Sequence, residues 1–149
     1  MKSVTSVFAL PATGVIAAAA LLTVAAPASA ASGDKFQTIY SLTNGACIAV
    51  VDSSVHGPGY PSSASFTVNT NIIGVGACAL DVTLQWRNVD TGETGSRTVH
   101  ATGPGNWISD PKSSIFQPGF GTFESTVTVN GAHLGESGQV EFAVEPYQG

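Results

Sequence analysis

The sequence predicts an all-β protein: an antiparallel β-sandwich of about seven strands, immunoglobulin-like in architecture and stapled by one disulfide. Three observations lead there. Apolar and polar residues alternate over short windows, Gly, Pro, Asn and Ser separate those windows, and almost no helical period runs through the chain after Ala30. Two cysteines, Cys47 and Cys78, lie in that same part of the chain.

Taken in order, Phe36 to Leu42 and Cys47 to Val51 flank Asn44-Gly45, a pairing that marks a hairpin. Ala64, Phe66 and Val68 mark a further strand. The clearest alternation runs from Cys78 to Arg87: Cys78, Leu80, Val82, Leu84 and Trp86 share one face, and Asp81, Thr83, Gln85 and Arg87 the other. Asp90-Thr91-Gly92 and Thr94-Gly95 then suit a turn into Ser96 to Ala101. Phe123, Ser125, Val127 and Val129 alternate with polar neighbours, as do Val140, Phe142 and Val144, so both segments read as strands with one wet face. Trp86 follows both cysteines, whereas a true immunoglobulin domain keeps its core tryptophan between them, so the likeness is to the architecture alone.

The first thirty residues read as a cleaved secretory signal peptide. Lys2 supplies the positive start, Val15 to Val24 an apolar run, and Ala28-Ser29-Ala30 a small-x-small site, with cleavage expected after Ala30. The remainder, 31–149, is of a size for one domain. Leu10-Pro11-Ala12-Thr13-Gly14 resembles the pentapeptide cut by cell-wall sortases, but it stands near the start rather than before a C-terminal apolar span and basic tail, which argues against wall anchoring.

Export makes a Cys47–Cys78 disulfide the first reading of the two cysteines; a pair of free thiols or half of a metal site lacks a neighbouring histidine or C-x-x-C spacing. The bridge is expected to lie near the Trp86 indole, with the indole in the core. After residue 30 the cations are Lys35, Arg87, Arg97 and Lys112, against all ten carboxylates of the chain. With no basic stripe to neutralise phosphates, nucleic acid and anionic lipid are excluded as partners, and no second apolar run is long enough to span a membrane.

Catalytic constellations are absent from the sequence pattern. His56, His100 and His133 are scattered, and Gly135-Glu136-Ser137-Gly138 falls one residue short of G-x-S-x-G. Glu141 and Glu145 read as solubilising charges on a wet strand face. No cofactor and no metal site is expected.

The segment from Thr102 to Gly121 carries Trp107, Ile108, Ile115, Phe116 and Phe120 among prolines and glycines. Such a loop either caps the core or displays aromatic anchors to a partner. A second loop holds Tyr60, which beside Trp107 would form an aromatic platform for stacking on sugars. The expected function is therefore a secreted, non-catalytic interaction module of the extracellular space or cell envelope, with an unknown protein or glycan as partner. The alternatives are a carbohydrate-binding module and a small secreted hydrolase.

Overall fold

The computed structural model describes residues 33–148. The expected leader, its expected cleavage site and the Leu10 to Gly14 pentapeptide lie outside them. Among the described residues there are ten strands and no helix: β1 (Gly33–Lys35), β2 (Ile39–Leu42), β3 (Asn44–Tyr60), β4 (Ser63–Asn88), β5 (Thr94–Gly103), β6 (Gly105–Ile108), β7 (Ile115–Phe116), β8 (Gly121–Val129), β9 (His133–Leu134) and β10 (Val140–Val144). All pair antiparallel in one curled sheet of order β10-β8-β4-β3-β2-β9, with β1 beside β3, and β5, β6 and β7 beside β4.

The strand β4 organises everything else. Its first part pairs with β3 on one side and with β6 and β7 on the other; its second part, from Cys78 on, pairs with β5 and β8. A straight strand from Ala64 to Trp86 would measure roughly 70 Å. Yet Phe116, the register partner of Ala64, has its ring centroid 4.9 Å from that of Trp86. The strand therefore doubles back, and its two arms face each other across the core. The reversal falls at Gly74 to Ala77, where Gly76 has φ +79°, a conformation that L side chains rarely adopt. The Cys47–Cys78 disulfide, with a Cα–Cα distance of 6.1 Å, ties the start of β3 to this bend.

The strand periodicities hold where they are strongest. Leu80, Val82 and Leu84 are fully buried, as are Phe66 and Val68 on the other arm, and Phe123, Phe142 and Val144 close the core from β8 and β10. Strand β10 also lies against β1 and β3, which brings the two margins of the curl together. Both expected hairpins form: Leu42 pairs with Ile48 around Asn44-Gly45, and Arg87 pairs with Thr94 around Asp90 to Gly92.

Two expectations are corrected. Trp86 is half-buried at the rim, packed against the core rather than within it. The disulfide does not lie near the indole, because Cys78 and Trp86 share a face of β4 but stand eight residues apart, roughly 26 Å in an extended strand.

Buried polar groups complete the backbone ladders. Strand β10 stops pairing with β8 at Ser125, and beyond that point the Ser137 hydroxyl accepts the hydrogen bond of the Val127 amide at 2.9 Å. Ser137 is thus a structural serine. Asn88 receives the Asp90 and Thr91 amides on its side-chain oxygen, at 2.9 and 3.0 Å, and donates to the Phe120 carbonyl at 2.9 Å, joining the turn to the segment before β8. Two side chains are exceptions among the described residues: the Arg97 Nε and the Thr70 hydroxyl are buried without a hydrogen-bond partner, and Thr70 is fully buried. Removing an unpaired buried hydroxyl relieves its desolvation cost. Thr70→Val is accordingly expected to stabilise the fold by about 1 kcal/mol, read as a higher denaturant midpoint at unchanged slope.

Candidate functional site

The candidate site is a groove on the outer face of β4, β5 and β8. The same alternation that buries Leu84 and Trp86 points Gln85 and Arg87 outward. Register then sets Ser96 and Thr126 on either side of Gln85, and Thr94 and Glu124 on either side of Arg87. Gln139, just before β10, adds a further amide. These residues, with Trp86, Gly95 and Ser125, line a groove of about 520 Å³.

Hydrogen bonding separates the groove from its surroundings. Ser125 is committed internally, its hydroxyl donating to the Val140 carbonyl at 2.7 Å. The side chains of Gln85, Arg87, Thr94, Ser96, Glu124, Thr126 and Gln139 make no hydrogen bond to other described residues, and Arg87 and Glu124 form no ion pair despite facing each other in register. Hydroxyls, amides, one guanidinium and one carboxylate are left available at one place, with their charges balanced. The partly buried Trp86 indole projects from the opposite, inward face of β4, against Phe116. It lies over Gly95, where a Cβ would come within 2.5 to 2.8 Å of three indole atoms, so this position requires glycine.

Further along the same outer face the polar rows continue. Thr83 and Thr98 share a hydrogen bond of 2.9 Å. His100 Nδ1 lies 2.6 Å from Asp81 Oδ1, and Asn130 donates to the other Asp81 oxygen at 3.2 Å while accepting from the Asp81 amide at 2.9 Å. This holds the imidazole in place, but no serine joins it. His133 donates from Nδ1 to the Gly131 carbonyl at 3.1 Å, and His56 stands exposed on β3. Among the described residues no group of three His, Cys, Asp or Glu side chains is placed to hold a metal ion, and no helix is long and apolar enough to cross a membrane.

The residues singled out by sequence are dispersed. The Thr102 to Gly121 segment is not a plain loop, because it supplies β6 and β7 to the first arm of β4. Trp107, opposite Thr70, is half-buried against the core, and Phe116, opposite Ala64, is buried with its ring 6.1 Å from that of Phe142. Ile115 is half-buried, whereas Ile108 and Phe120 are exposed. Tyr60 pairs with Ser63, so seven residues of β4, roughly 23 Å, separate its register position from that of Trp107 and no shared platform forms. Tyr60 instead shares a cleft of about 430 Å³ with Tyr147, Pro58, Pro61, Glu145 and Pro146. Sequence reasoning missed Tyr147 and the whole Gln85–Arg87 groove, which draws on three strands that only the register brings together. Comparison with protein-family profiles, curated proteins and solved structures yields no significant match.

Proposed function

We propose that this chain is a secreted, non-catalytic interaction module of the extracellular space or cell envelope, an immunoglobulin-like β-sandwich in architecture, with its binding surface in the groove over β4, β5 and β8. The observation that carries this reading is the concentration of side-chain hydrogen-bonding groups, unspent within the protein, on one outer face of three adjoining strands. The doubling back of β4 supports the sandwich. The buried disulfide is compatible with the oxidising compartment to which the leader sequence points.

A second reading, a carbohydrate-binding module, is favoured by the chemistry of the groove. Amides, hydroxyls and a charge-balanced Arg87 and Glu124 match the alternating donors and acceptors of a polyol. Affinity electrophoresis through soluble glucan, mannan and galactan tests it. Retardation by at least one polysaccharide is expected, with the Gln85→Ala, Gln139→Ala double variant losing about tenfold or more in Kd. No retardation in any of them counts against the sugar reading and leaves a protein ligand for the groove. Hydrolysis of an ester, peptide or glycoside that disappears in His100→Ala would overturn the non-catalytic reading.

A further inference from the structure

We infer that the protein self-associates through the outer face of β9, β2, β3 and the first arm of β4, which serves as the interface between two copies. Register puts the outward residues of these strands in adjoining rows: Leu134 beside Tyr40, Tyr40 beside Val50, Leu42 beside Ile48, Ile48 beside Ile73, and Ala46 beside Val75. Six of these side chains are large, apolar and more than half exposed, from 53% at Tyr40 and Ile48 to 77% at Leu134. They are contiguous, whereas apolar residues scattered singly over a surface need no explanation.

Charge selects the occupant. The full chain has a formal charge of −5, so two copies repel over most of their surfaces. The outward positions of this patch contain no charged residue. The first charge met along β3 is Asp52, one outward position beyond Val50, where it accepts a hydrogen bond of 2.6 Å from Thr38. A partner chosen for opposite charge would be drawn to the acidic surfaces, while a second copy can approach only where charge is missing. Two copies of the same sheet also share one twist and can pack face to face at about 10 Å. The interface is then isologous, each patch meeting itself across a two-fold axis.

Area sets the strength. Six such side chains offer on the order of 500 Å² per copy, or about 1,000 Å² for the pair, at the lower limit of a specific interface. The association is accordingly reversible and concentration-dependent.

Sedimentation velocity of the purified protein from about 1 μM to about 1 mM tests this. A monomer at the low end passing to a dimer at the high end is the expected result. Ile73→Glu and Leu42→Glu, each entering the interface twice through the symmetry, should weaken association by at least about tenfold without lowering the melting temperature. Ile73→Ser serves as a milder version should the carboxylate perturb folding, and Thr128→Glu, on the polar outer face of β8, should leave the dimer intact. A wild-type monomer at every concentration would overturn the proposal. So would variants that dimerise like the wild type, or a monomer that floats with neutral phosphatidylcholine vesicles, which would assign the face to lipid.

Discussion

Cys78→Ala is expected to lower the stability of the fold by about 2–5 kcal/mol. The bridge spans 31 residues of sequence, and on the chain-entropy model closing such a loop removes roughly 3–4 kcal/mol of freedom from the unfolded ensemble. Its position adds to that. Cys47 stands opposite Gly74, on the near side of the β4 reversal, and Cys78 begins the far arm, so the bond holds the bend that brings both arms over one core. Both residues are buried, at 5% and 4% exposure, and alanine leaves a small void besides. Against a typical total of 5–15 kcal/mol this is a large fraction. Urea unfolding with and without reductant measures it: the oxidised wild type should unfold at a clearly higher midpoint than both the reduced protein and the variant. Equal midpoints would contradict a structural role for the bridge.

Phe142→Ala is expected to cost about 3–5 kcal/mol. The ring is fully buried, stacked on Phe123 at 5.1 Å between centroids and edge-on to Phe116 at 6.1 Å, and Phe116 in turn meets Trp86. One side chain thus links β10, β8, β7 and the far arm of β4. Its loss opens a cavity at the place where β10 closes the curl against β1 and β3. Trp86→Ala, whose indole is only partly buried, should cost less despite the larger ring. A chemical-denaturation comparison of the two variants decides the order, and a greater loss at Trp86 would mean that the indole, not the phenylalanine stack, centres the core.

Much of this fold was legible in the alternation of residues, and its limits have physical causes. From Cys78 to Arg87 one face is apolar and the other polar, so the pattern alone assigns every side chain to its side. The same holds for 123–129 and 140–144. In Ile48-Ala49-Val50-Val51 and Ile72-Ile73 both faces are apolar, and alternation cannot distinguish inside from outside there; the exposed sheet face went unseen for that reason. The reversal of β4 was hidden because Gly74 and Gly76 read as a break between strands, although the even-numbered positions face inward on both sides of it. Prolines and glycines around Trp107 and Phe116 masked two short strands, since edge pairing of two to four residues leaves little periodicity. The groove depends on Gln85, Ser96, Thr126 and Gln139 meeting across register, and nothing in their sequence positions announces it.

The most direct test of the binding role is amide and side-chain NMR shift mapping of the purified protein titrated with soluble glucan, mannan and galactan. The reading predicts saturable shifts confined to Gln85, Arg87, Ser96, Thr126 and Gln139. Shifts that instead cluster at the Tyr60–Tyr147 cleft, or a spectrum unmoved by all three polysaccharides, would contradict the assignment of this groove as a carbohydrate site.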